Sequence, residues 1–196
     1  MNISRIGFFV SFLAVSTVAQ TAVVRGEVDE FPGSRTRFLL EDTRVELVSN
    51  AVDLRALEER GYYEFTVEEV AGAPSPTLTV LAATPTAETF GFDRLQIGAT
   101  TVFEVNGRAG AFGQVFLQAT DATGFLPLGS LGSWLLGVEA LPVGRATIRG
   151  DGEGELSLTI PNVPELIGTR ITGQAAIVDG STVRFTTPDS QVVVAS

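Results

Sequence analysis

Cysteine, histidine and lysine are all missing from this chain of 196 residues. Without cysteine there is no thiolate nucleophile and no disulfide to hold the fold, and without histidine there is no imidazole base. Together the two absences remove Cys/His zinc cages and the Ser-His-Asp arrangement. An enzyme built on this sequence would have to work with carboxylates, Arg, Tyr or Ser. With lysine absent, all 13 basic residues are Arg, the side chain suited to bidentate carboxylate pairing. Positive charge is also scarce, because 23 Asp and Glu leave a net charge of −10. Such a balance excludes a phosphate-backbone partner, which needs clustered positive charge. What is present is apolar: 44% hydrophobic and 18% charged residues describe a globular chain rather than a disordered one.

Long hydrophobic runs are few, and the clearest lies at the start. Arg5 precedes an apolar stretch from Ile6 to Val15, and Thr17-Val18-Ala19 places small residues before Gln20. A run of roughly ten residues is too short to span a bilayer comfortably and has the build of a secretory signal. Residues 1–19 are therefore read as a signal peptide, with cleavage or retention as an anchor left open. The mature chain is expected to be exported, periplasmic or extracellular, with no membrane span. No cysteine stands near the cleavage point to carry a lipid.

From Gln20 onward the pattern is strand-like. Ala22–Glu30 alternates apolar and polar, with Val24, Gly26 and Val28 on one face. Short strands follow over Thr36–Asp42 and Arg44–Ser49, then a helical turn over Val52–Gly61 that places Leu54 and Leu57 inward. Alternation resumes over Tyr62–Val70, and a Pro-containing turn leads to a fifth strand over Thr77–Pro85. Leu54, Leu57, Gly61, Phe65 and Val67, after a first strand that Gly26 can bend, give this region a pattern that resembles a compact OB-fold domain. The resemblance implies a five-stranded Greek-key barrel whose open face takes oligonucleotides or oligosaccharides. Residues 20–96 carry 14 Asp and Glu against 7 Arg, so this version is acidic and not built for nucleic acid.

Beyond Leu95 the texture becomes Gly-rich. About eight short alternating segments are separated by turn residues such as Asn106-Gly107, Asp121-Ala122-Thr123-Gly124, Asp151-Gly152 and Asp179-Gly180. Strands at this spacing without helices predict an antiparallel two-sheet sandwich. Ile160-Pro161-Asn162-Val163-Pro164, then Leu166, Gly168, Gln174-Ala175 and Asp179, resembles the closing segment of a β-sandwich module at the C-termini of secreted bacterial proteins. The resemblance implies export and a sandwich and brings no activity with it. It departs in one place, Asp179-Gly180, where the module often continues Asp-Pro. Phe90 and Phe92 are expected at the interface between the two domains, and Trp134 in the core of the sandwich.

Candidate sites are few. Asp179 sits in Asp-Gly-Ser order, not the Asp-Thr/Ser-Gly of an aspartic protease, and reads as a hairpin corner. Asp151, Glu153 and Glu155 would present carboxylates to a hard cation such as calcium. Phe31, Phe38 and Tyr62 would give the barrel a stacking surface for sugar rings. The acid pairs Asp29-Glu30, Glu58-Glu59 and Glu68-Glu69 point to opposite sides of a strand and do not converge. The fold class expected is all-β: a signal peptide over 1–19, an OB-like five-stranded Greek-key barrel over 20–93 and an antiparallel β-sandwich over 94–196. The function expected is that of an exported, non-catalytic binding or structural protein of the bacterial envelope or exterior. Its ligand would be a carbohydrate or a protein, and no cofactor is required unless calcium binds. The alternative is a carboxylate-dependent secreted hydrolase such as a glycosidase.

Overall fold

The computed structural model describes residues 21–34, 36–58, 60–120 and 124–196. The expected signal peptide, Glu59 and the turn residues Asp121-Ala122-Thr123 lie outside the described residues. Within the described residues the protein is all-β. Helix is confined to three 3-10 turns, Leu54–Ala56, Gly129–Leu131 and Pro164–Leu166, and no helix is long and apolar enough to cross a membrane.

The first sheet contains β1 (Thr21–Gly26), β2 (Val28–Glu30), β3 (Phe38–Leu40), β4 (Glu46–Val48), β5 (Tyr63–Glu69) and β6 (Thr77–Pro85). Its hydrogen-bonded order is β1-β5-β6-β4-β3-β2, with β4 and β6 the parallel pair. The two ends of the sheet, β1 and β2, are successive in the chain and separated only by Glu27. Gly26 is required at this break, because a Cβ there would collide with the Leu40 side chain. Period-two alternation sets the inner face: Phe65 and Val67 of β5 are buried, while Glu64, Thr66 and Glu68 are not. With Val24, Val28, Leu40, Leu47, Leu78 and Val80 they form one core. The helical segment expected over Val52–Gly61 shrinks to a single 3-10 turn, capped by Asp53 and seating Leu54 in that core.

The remaining strands are β7 (Phe90–Phe92), β8 (Thr100–Asn106), β9 (Phe112–Gln118), β10 (Leu126–Pro127), β11 (Ser133–Trp134), β12 (Leu141–Thr147), β13 (Glu153–Thr159), β14 (Arg170–Asp179) and β15 (Thr182–Val192). They form a three-stranded sheet, β13-β8-β7, and a four-stranded sheet, β12-β9-β14-β15, with β10 and β11 paired on their own. Phe103 and Val105 from the first share a core with Val115, Ala146, Ala175 and Ile177 from the second. Phe90 and Phe92 also belong to this core, with ring centroids 6.3 and 5.0 Å from Phe103. They are therefore core aromatics of the second half, not the interface residues the sequence suggested.

Two further departures concern the C-terminal half. Of the segments Thr182–Thr187 and Gln191–Ser196, which alternate as two of the expected strands, the first and the start of the second belong to one strand, β15, which runs through Pro188 and ends at Val192. Pro188 lies opposite Gln174 where the register shifts, on the edge strand of its sheet, the two settings that tolerate a missing N–H. Trp134 is only half-buried. It stands edge-on to Phe116 and Phe185 at 5.0 and 5.6 Å. Phe116 and Gln174 alternate with the buried Val115 and Ala175, so this aromatic group covers the outer face of the four-stranded sheet.

That outer face is where the two halves meet. The segment after β10 crosses to the first sheet, where the Ser133 hydroxyl donates to the Val23 carbonyl at 2.6 Å and Leu135 enters the first core. Gln174, fully buried, accepts from Leu135 N at 3.0 Å and donates to the carbonyls of Ser133 and Thr186, each at 3.0 Å. Arg25 reaches the other way, donating to Phe185 O at 2.8 Å and pairing with Glu64, with Glu88 3.4 Å from its Nε.

Candidate functional site

Phe31, Phe38 and Tyr62 do not form one surface. The Phe31 ring is covered by the Arg37 guanidinium, 4.0 Å from its centroid, an arrangement that satisfies ring and cation together. Phe38 packs against the first core and lines a recess of about 350 Å³ with Leu47, Val52 and Leu54. Tyr62 is exposed but is not part of that recess; its charged neighbours are Glu27, Glu41, Asp189 and Asp42. Partial removal from water, with those acids nearby, raises its phenol above the usual tyrosine range.

Asp151, Glu153 and Glu155 do not gather around a cation position. Asp151 accepts from Glu153 N at 3.1 Å, closing the turn, and Arg149 takes Glu155 at 2.9 Å and Asp151 at 3.6 Å. A guanidinium thus sits where the calcium reading would put its ion. Among the described residues no group of three or more acids is arranged to hold a metal. Asp179 occupies the β14–β15 corner opposite Thr182, with Gly180 at φ +60°, and accepts from Arg108 at 2.9 Å.

The structure assembles a set of carboxylates that the sequence does not show. Glu41 follows β3 and lies beside Glu27, while Asp42 lies beside Asp189 of β15. Partial removal from water, reinforced by the Glu27 contact, pushes Glu41 up to about 7. Burial likewise pushes Asp189 up to about 6, Asp42 adding to the shift while the Phe92 N–H opposes it. Asp189 accepts that N–H at 2.7 Å, and the Thr187 hydroxyl accepts from Phe90 N at 3.1 Å. Side chains of β15 thereby stand in for a backbone ladder to β7. Ser190 completes the group, donating to Asp42 at 2.6 Å and accepting from Arg170 at 2.7 Å. These acids act as a clasp between β3, β7 and β15.

A different feature has the shape of a binding site. A cleft of about 430 Å³ opens at the end of the two facing sheets remote from the Asp179-Gly180 corner. Leu95, Phe103 and Val193, all buried, make its floor. Its walls include Leu117, Val143 and Ile171. Val143 is the extra residue where the β12–β9 register slips between Pro142 and Gly144, and such a bulge re-aims a side chain. Of the 13 described lining residues only Gln118 and Glu139 carry polar side chains. Leu141 of the lining is exposed, as are Val138, Val163 and Ile167, which lie within two residues of lining positions along the chain, a concentration of apolar surface that a soluble face does not require. The volume lies within the range of roughly 300–1,000 Å³ typical of small-molecule sites. The sequence signal, in retrospect, is apolar residues at strand ends where turn residues are expected: Leu141-Pro142-Val143 opens β12 and Ile160-Pro161 follows β13.

No protein-family model matches the chain, and no curated protein matches it.

Proposed function

We propose that this chain is an exported, non-catalytic binding protein of the bacterial envelope or exterior, with the apolar cleft as its ligand site. We also read it as an OB-like barrel followed by a β-sandwich. The strand order of the first sheet, its parallel β4–β6 pair and the continuity of β1 with β2 support the barrel. The shared core of the β13-β8-β7 and β12-β9-β14-β15 sheets supports the sandwich. The pairing of β7 with β8 supports reading the division between the two at about residue 86, ahead of the expected 93. The signal-like segment over 1–19 is the ground for export.

One observation carries the binding reading. The end of the second core is hollow rather than filled, and its walls are aliphatic in a molecule whose surface is otherwise strongly acidic. Interiors pack to near crystal density, so a void of this size is not a packing residue. A cleft of this chemistry favours an apolar ligand over the sugar expected from the barrel aromatics. The test is calorimetric titration of the full chain with 1-decanol, an uncharged aliphatic probe. One saturable site is expected, lost on Val143→Phe; absence of saturable binding, or binding indifferent to that substitution, contradicts the reading.

The rival, a carboxylate-dependent hydrolase, draws on Asp42 and Asp189, which lie side by side as the two acids of a catalytic dyad do. Their other bonds, to Phe92 N and to Ser190, support the clasp role instead.

A further inference from the structure

We infer that the cleft takes a single linear aliphatic chain whose head donates hydrogen bonds or carries positive charge, an alkylammonium-type amphiphile rather than a fatty acid or a phospholipid; the inference rests on the binding reading above. The chain follows from the walls. Among the described residues Phe103 is the only aromatic ring in the lining and it lies in the floor, so these walls do not offer a planar ligand two faces to stack between. Leu, Val, Ile, Pro and Ala side chains from both sheets instead surround the space, a setting without directional demands that suits a flexible hydrocarbon. An apolar cavity of about 150 Å³ holds one benzene. Scaled from that figure, 430 Å³ accommodates roughly twelve to seventeen carbon atoms.

The head follows from the mouth. Glu139 lines the cleft next to the exposed Val138 and Leu141, and among the described residues its carboxylate receives a long contact from the Thr120 hydroxyl, at 3.4 Å. Gly137 leaves room for the carboxylate at this position, since a Cβ there would strike it. Gln118, the other polar lining residue, accepts from Gly137 N at 2.6 Å, which fixes the loop that carries Glu139. Among the described residues no Arg lines the cleft. An anionic head would meet the Glu139 carboxylate without a compensating cation, in a protein of net charge −10. A hydroxyl, amide or ammonium would instead complete the acceptor sites of that carboxylate.

The experiment is calorimetric titration of the full chain with alkylamines of eight to fourteen carbons and with alkyl carboxylates of equal length, all below their micelle concentrations. Alkylamines are expected to bind one to one, with Kd falling about fourfold per added methylene until the cleft is filled and then levelling off. At equal length the amine is expected to bind at least threefold more tightly than the carboxylate, and Glu139→Gln to remove most of that preference while leaving the length dependence. Val143→Phe is expected to abolish binding with little change in Tm; should that variant unfold, Leu166→Trp, at the rim, replaces it. Equal binding of amine and carboxylate, or a preference untouched by Glu139→Gln, overturns the assignment of the head while leaving the cleft as a chain-binding site. No length-dependent, one-to-one binding in either series overturns the binding reading itself.

Discussion

Gln174 is the single side chain whose loss should be felt most widely. Its buried amide uses both donors and an acceptor, joining β14 to Ser133, Leu135 and Thr186. Gln174→Leu would leave those three backbone groups unpaired, each at about 1–3 kcal/mol. A loss of about 3 kcal/mol or more is expected in urea unfolding, and a change below about 1 kcal/mol would show that the groups find other partners. Nothing in the sequence marks Gln174 for this role, because a glutamine beside Ala175 and Ala176 looks like any polar residue on a strand. Asp179 was legible for the opposite reason: a corner is a local event, and Asp-Gly states it in two residues. The carboxylate clasp was illegible, since Asp42 and Asp189 meet only once β3 and β15 are in place.

The clasp also sets a pH dependence. The folded-state pKa values of Glu41 and Asp189, about 7 and about 6, lie above the ordinary carboxylate range. The fold therefore binds these protons more tightly than the unfolded chain does. Their contribution to stability is complete below about pH 4 and is lost as the pH rises through about 6 and about 7. Because both groups remain partly exposed, the effect is on the order of 1 kcal/mol, a few degrees in Tm. Tm is expected to be higher at pH 5 than at pH 8, and Glu41→Gln with Asp189→Asn to flatten that difference. A Tm that rises with pH over this interval would contradict the clasp.

At the scale of elements, alternation and turn residues located the strands well. Thr77–Pro85 emerged with its bounds as read, because Leu78 and Val80 face inward on a period of two and a proline turn precedes them. The errors came where an element depends on a distant partner. Phe90–Phe92 reads as a junction whose rings serve the interface, because three residues carry little strand pattern, and it is a strand through β8 and the β15 side chains. β15 looked like two strands because Pro188 punctuates it, and the register shift opposite Gln174 absorbs that interruption. If Thr187 truly substitutes for a ladder bond, Thr187→Val leaves Phe90 N unpaired in the core. A cost of about 1–2 kcal/mol is expected, with faster amide exchange at Phe90 as the local check. Unchanged exchange there would show that β7 is held by packing of its two rings alone.

For the whole molecule, two cores were foreseeable from the change of texture near Leu95, but their connection was not. Leu135 lies far along the chain among strands of the second half and yet completes the first core. The sequence around it, Trp134-Leu135-Leu136, is uniformly apolar and carries no period that says which core each residue serves. Leu135→Ala should cost about 2–5 kcal/mol. Because Ser133, Gln174 and Arg25 tie the same interface, both halves are expected to lose hydrogen-exchange protection together in that variant. Protection lost over β1–β6 alone would mean that the halves are independently stable.

The hollow end of the second core is the feature from which the proposed function is built. It is most directly tested by carbon-13 methyl NMR of the full chain during titration with dodecylamine. The account expects saturable shifts in the methyls of Leu117, Val143, Leu166 and Ile171, with those of Leu40, Leu47 and Leu78 in the first core unmoved. Shifts confined to the first core or scattered over the surface, or none at all, would contradict the assignment of the cleft as the binding site.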